Sequence, residues 1–271
     1  MGPQQPTVAV LCYHSVAAQT TPTFAELTVE PSLFAEQIAA LQQVGLDVIP
    51  FADVPEALAS RRRAVAITID DGFADVAESA CPTLAAHGMT ATVFVPTGFV
   101  GGRSSWLQGA DAERPMLSWE TIASLAGHGF ELGSHGQMHL AADVNTREVV
   151  ENDARASRIE LEDHIGRPVT SFAYPFGYHS HAGRWAVHAA GYRQACAVGE
   201  LPARARDDRW ALPRMQVLSH TTPEEVAQMV AWKPSPSSRI WASSKQRVWQ
   251  LGRRFAEWGP AEAGRLEGAV R

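Results

Sequence analysis

The sequence predicts an α/β fold, a distorted (β/α) barrel of about seven parallel strands. Three observations carry that expectation. Short apolar runs alternate with longer amphipathic stretches along most of the 271 residues, the order that parallel β/α units require. The runs are continuously apolar rather than alternating, as in strands covered on both faces. Glycine closes several of the helical stretches, where a left-handed residue ends a helix.

The elements follow in order. Residues 8–12 form a first strand, and PSLFAEQIAALQQV at 31–44 carries apolar residues at helical spacing before Gly45. Residues 46–51 are the next strand and 54–59 a short helix. A strand over 64–70 (AVAITID) precedes a helix over 78–87 closed by Gly88. After a strand over 91–95, Ser118 caps a helix reaching about His128. Residues 130–134 are a strand, and 146–165 a long helix ended by Gly166 and Pro168. Strands over 171–174, 193–198 and 215–218 complete the barrel, which spans residues 1–232.

Composition narrows the function. Hydrophobic residues make up 45% and charged residues 19% of the chain, ordinary for a globular protein. A net charge of -6 supplies no electrostatic reason to bind nucleic acid. Cys12, Cys81 and Cys196 are odd in number and far apart, which argues against a disulfide framework or a thiolate metal site. The leading MGPQQPT has no Lys or Arg, so no secretory signal is expected. No segment approaches the length of a membrane-spanning helix. The expected location is cytoplasmic.

In β/α barrels chemistry gathers at the carboxyl ends of the strands. The first strand delivers His14, whose plain alternative is a hydrogen-bonded structural histidine. The strand over 64–70 ends in Asp70 and Asp71. Adjacent carboxylates after a buried strand are costly unless something positive neutralises them; the alternative is a solvated Asp-Gly turn. The strand over 130–134 leads into SHGQMH, where His135 and His139 are four apart and would share one face of a helical turn. Two imidazoles and a carboxylate can hold a catalytic metal with positions left open. FAYPFG, residues 172–177, is a constrained turn of the kind that aims a backbone N–H into a site.

ITIDDGFAD, SHGQMH and FAYPFG, in this order and spacing, resemble the successive motifs of the polysaccharide deacetylases, carbohydrate esterase family 4, which share the NodB homology domain. YHSV, the helix at 31–44 and ATVFVPTGFVGG are similar to its short bacterial branch, which includes the poly-N-acetylglucosamine deacetylases. The resemblance covers roughly residues 8–217. It implies a metal-dependent amide hydrolase acting on N-acetylated sugars, with zinc the expected divalent metal. It also implies a circular permutation that brings the first strand to the amino terminus.

Residue by residue, the resemblance makes Asp71, His135 and His139 the metal ligands and Asp70 the general base. Phe176 stands where the family usually has tyrosine, whose backbone N–H stabilises the oxyanion; a backbone donor survives that change. The family's acid histidine usually lies late in the chain. Here the matching layout is the early one, so His14 is the expected general acid, with His220 in LSHTT as the alternative. Ala173 replaces the arginine that often orients the base. Arg214 in ALPRMQV is offered in its place, against an ordinary surface or interface arginine. Gly136 and Leu140 depart from the usual second motif. His179 and His181 read as exposed loop residues, with a sugar contact or an added metal ligand as the alternatives. Trp106, in the loop over 97–115, is either a sugar platform or a loop anchor.

Residues 233–271 form a second region, in which PSPSS precedes RIWASSKQRVWQLGRRFAEW. Ile240, Trp241, Val248, Leu251, Phe255 and Trp258 fall near one helical face, with five basic residues before Glu257. Two readings stand: a helix packed on the barrel or a partner subunit, or peripheral contact with an anionic membrane surface. For the barrel, the alternatives to a sugar N-deacetylase are a deformylase, a cyclic imide hydrolase and a catalytically silent glycan-binding barrel. A 2-His-1-carboxylate iron oxygenase is disfavoured, since those sites sit on jelly-roll sheets.

Overall fold

The computed structural model describes residues 7–231. The elements run β1 (Thr7–Tyr13), β2 (Ser15–Val16), β3 (Thr28–Val29), α1 (Pro31–Val44), β4 (Asp47–Ile49), α2 (Val54–Ala59), β5 (Ala64–Ile69), α3 (Cys81–Ala86) and β6 (Thr92–Val95). They continue with α4 (Trp119–Gly127), β7 (Glu131–Ser134), α5 (Arg147–Ile165), β8 (Ser171–Ala173), α6 (His181–Ala189), β9 (Gln194–Gly199), β10 (Ala203–Arg204), β11 (Leu212–Gln216) and α7 (Pro223–Val230).

Seven strands close into a parallel barrel in the order β1, β5, β6, β7, β8, β9, β11 and back to β1. The chain's first strand therefore completes the ring between β5 and the last strand. β4 and β10 add to the amino-terminal halves of β5 and β1, outside the ring. Successive β1 residues enter different cores. Ala9, Leu11 and Tyr13 pack with Phe34, Ile38 and Leu84 from the helices. Val8 and Val10 pack with Ala66, Phe94, Ala173 and Cys196 inside the barrel, which α2 closes at one end through Val54, Ala57 and Leu58. Burial on both faces explains why the strands are apolar throughout.

The structure shifts several predicted elements. The strand expected over 46–51 is Asp47–Ile49, because Phe51 opens a 3-10 turn and donates its N–H to Thr92 Oγ1. The helix expected over 78–87 starts as a π-helical turn, Val76–Ala80, and becomes α-helical at Cys81. Pro82 lacks an N–H for the residue-78 carbonyl and crowds it, so the turn widens. The last strand is Leu212–Gln216, not 215–218: Pro213 and Arg214 disguise its first half as loop. α6 and α7 were absent from the expected elements, and α7 packs on α1 after a complete capping box at Thr222 and Glu225. The tail's proposed helix and membrane or subunit contact lie outside the described residues. No helix among the described residues is long and apolar enough to cross a membrane.

Candidate active site

Strand β5 delivers two carboxylates in different directions. Asp70 continues the strand, its N–H bonded to the Tyr13 carbonyl at 2.9 Å. Asp71 and Gly72 then both turn left-handed, at φ 69° and 63°. Among the described residues four non-glycines have positive φ, and three of them, Asp71, His139 and Phe176, meet in this site; such strain concentrates where function fixes the backbone.

Arg214, in β11, is completely buried and faces Asp70. Its Nη1 donates to Asp70 Oδ1 and its Nη2 to Oδ2, both at 2.6 Å, and Nη1 also reaches Thr68 Oγ1 at 3.1 Å. Burial opposes ionisation of Asp70, but the guanidinium outweighs it and holds the carboxyl below its usual range. A surface or interface role for Arg214 is excluded by this burial.

Asp71 Oδ1 lies 3.4 Å from His135 Nε2 and 3.3 Å from His139 Nε2. His135 Nδ1 donates to the Ala173 carbonyl at 2.8 Å, so Nε2 is the nitrogen that faces Asp71 and, in the neutral ring, the one free to ligate. Donor atoms bound at about 2.1 Å around a tetrahedral cation sit about 3.4 Å apart, so these three fit a divalent ion. The histidines are not on a helix, contrary to the sequence expectation. Residues 135–140 are irregular, with Gly136 and His139 at φ 79° and 52°. The His139 ring is packed between Trp106, stacked at 4.8 Å, and the edge of Phe176, also at 4.8 Å. Trp106 thus packs on the His139 ring and is itself held by Phe73 and Phe99.

His14 follows β1 and lies beside both carboxylates. Burial lowers its pKa, against the raising effect of Asp71 and Asp70. Cys12, His14 and Asp70 also bring ligand atoms within 4.8 Å of one another. That group is a poorer cation site, since Arg214 occupies both Asp70 oxygens and burial pushes the Cys12 thiol well up. His220 is exposed in the turn after β11. Of the two other histidines singled out in the sequence, His181 is exposed and opens α6. His179 is no exposed loop residue: it packs on the Tyr174 ring and accepts from Arg184. Phe176 sits in the turn after β8 with its ring exposed.

Two supporting residues escaped the sequence reading. Thr68 donates to the Leu11 carbonyl at 2.7 Å while accepting from Arg214, and the Cys12 thiol donates to Asp70 Oδ2 at 3.7 Å. Both are small side chains inside apolar strands: Thr68 precedes the acid by two residues on β5, and the pairing of β1 with β5 brings Cys12 to it.

The chain matches the family described as Polysaccharide deacetylase over residues 58–195. The Bacillus subtilis (strain 168) polysaccharide-deacetylase relative YxkH is 24% identical over 213 residues, covering 77% of this chain and 70% of that protein. The structure of the Streptococcus pyogenes deacetylase PplD in complex with acetate superposes with a TM-score of 0.74 at 21% identity, over 85% of this chain and 100% of that one. IcaB from Ammonifex degensii gives 0.69 at 24% identity, over 84% and 97%. At these identities the structural likeness shows a shared fold.

Proposed function

We propose, from the premise that this chain belongs to the polysaccharide deacetylase family, that it is a divalent-metal hydrolase removing the N-acetyl group from a sugar or glycoconjugate. The observation that carries the reading is the convergence of Asp71, His135 and His139 within 4.8 Å, beside a carboxylate that is not needed as a ligand. Asp71, His135 and His139 would hold the cation, zinc by the chemistry of the donor set. When bound, such an ion polarises the amide carbonyl and makes water acidic enough to supply a nucleophile near neutral pH.

The chain's own residues divide the remaining work. Asp70, kept ionised by Arg214, accepts the proton of the attacking water. The Phe176 backbone N–H donates to the oxygen that gains charge as the carbonyl carbon becomes tetrahedral. His14, at the end of the neighbouring strand, gives a proton to the amine as the C–N bond breaks, without which the amine is a poor leaving group. Acetate and a free amino sugar result. Trp106 and Phe176 wall the His139 side of the site.

The test is acetate release by the metal-reconstituted protein across N-acetylated sugars, their polymers and lipid-linked forms. Asp70→Asn should abolish turnover while the metal stays bound. A protein that releases no acetate from any of these substrates, or an active Asp70→Asn variant, overturns the reading.

A further inference from the structure

The loop that carries both histidines has no regular hydrogen bonding of its own, yet its backbone is held on two sides. On one side Thr97 N–H donates to the Gly136 carbonyl at 3.1 Å and Gly98 N–H to the Gln137 carbonyl at 2.9 Å. On the other, a single side chain of α5 takes the two adjacent N–H groups at the loop's tip. Asp153 Oδ2 accepts from Gln137 N at 3.0 Å, and Oδ1 accepts from Met138 N at 2.7 Å. One helical turn further on, Ser157 Oγ shares a 2.7 Å bond with Ser134 Oγ, which accepts from Gly136 N at 3.1 Å. Glu160, a further turn along, accepts from the Gln137 side chain rather than from the loop's backbone, at 3.1 Å.

Gly136 is matched to this acceptor. Its φ is 79°, and a Cβ placed there would stand 2.4 Å from Asp153 Oδ2. The carboxylate therefore occupies the space that any other residue at 136 would need. Two consecutive N–H groups pointing the same way form a concave donor pair, and an ionised carboxylate satisfies both at once. With the tip fixed, His139 leaves the loop at φ 52° with its Nε2 directed at Asp71.

We propose that Asp153 is a positioning residue that sets the spacing of His135 and His139 for a divalent cation. This rests on the reading of Asp71, His135 and His139 as metal ligands. Asp153 touches neither substrate nor cation; it acts through the backbone of residues 137 and 138. Partners that orient metal ligands in this way typically alter metal affinity by about 10- to 100-fold when removed.

The experiment is a titration of the full-length, chelator-stripped protein with Co2+, followed by its visible absorption, and with Zn2+ by competition. Asp153→Ala should weaken affinity by about 10- to 100-fold and change the cobalt spectrum. Asp153→Asn keeps one oxygen acceptor and should fall between that variant and the wild type. Glu160→Ala, on the same helix face, should bind as the wild type does. Gly136→Ala should weaken binding in the wild type and cost less in the Asp153→Ala background, where its steric partner is gone. If Asp153→Ala is unfolded by circular dichroism, Asp153→Asn decides the matter. A wild type that binds no cobalt overturns the metal reading itself. A wild type that binds, with the Asp153 variants matching its affinity and spectrum, overturns the positioning role alone.

Discussion

Arg214 grips Asp70 with both terminal nitrogens, one on each carboxylate oxygen at 2.6 Å. The two residues come from strands that are not neighbours, β11 and β5, and β1 lies between them. The pair therefore forms only when the first strand closes the ring. It fixes the plane of the carboxylate, keeps it ionised in a buried site and leaves it beside His135, whose Nε2 is 3.9 Å from Oδ2. In the proposed chemistry this orients the base at some cost in its basicity, since the guanidinium favours the charged form.

Removing the fork should separate orientation from charge. Arg214→Lys keeps a cation but cannot bond both oxygens in one plane. Losing one charge-assisted hydrogen bond is worth about 1.5–3 kcal/mol, so kcat should fall by about 10- to 100-fold with the fold intact. Arg214→Met leaves Asp70 buried without its counter-charge, a change that costs about 3–5 kcal/mol, and should lower the Tm markedly. Steady-state kinetics and thermal unfolding check both. Wild-type activity in the lysine variant would remove Arg214 from the mechanism.

His14 and His220 make opposite predictions as acids. His14 sits beside Asp70 and Asp71, while His220 is exposed. General acid catalysis contributes about 10²–10⁴-fold, so His14→Ala should lose that much in kcat and still bind metal. His220→Ala should lose nothing. The prediction fails if the His14 variant turns over at the wild-type rate.

The barrel was legible because its strands are buried on both faces and its helices end at glycines, two local signals. That Asp71, His135 and His139 come together was legible from motif residues at strand ends. What misled was spacing: His135 and His139, four apart, suggested a helical turn, yet Gly136 at φ 79° and the Asp153 carboxylate force an irregular loop. Asp153 itself was hidden because its partners are backbone N–H groups, which leave no trace in residue type. β11 was misplaced for a related reason. Arg214 looks like a surface residue until Asp70, 144 positions earlier, provides its counter-charge.

Phe176 tests whether the oxyanion donor belongs to the backbone. At φ 61° a glycine fits with less strain than phenylalanine, and it keeps the N–H. Phe176→Gly should therefore lose much less than the roughly 10²–10³-fold that removal of an oxyanion donor costs, with a modest loss from the missing wall beside His139. A full 10³-fold drop in kcat, with metal affinity unchanged, would show that the side chain does the work.

His179 should give the fold a pH dependence on the acid side. Burial, reinforced by the Arg184 guanidinium, lowers its pKa from 6.5 to about 4. Its Nδ1 accepts from Arg184 Nη1 at 3.1 Å, an arrangement open only to the neutral ring, and Asp208 holds Arg184 from the other side at 3.1 Å. The unfolded chain takes up this proton near pH 6.5 while the folded one does not until about pH 4. Between those values the unfolded state binds more protons, so stability falls as pH falls. The contribution is complete above the unfolded value and lost on the way down through the folded one. His179→Gln keeps an oxygen acceptor for Arg184 and does not titrate. The Tm of the wild type should therefore drop more steeply than that of the variant between pH 6.5 and 4, and the two should run parallel above pH 7. Parallel curves across the acid range as well would mean that the ring protonates without disturbing its contact with Arg184.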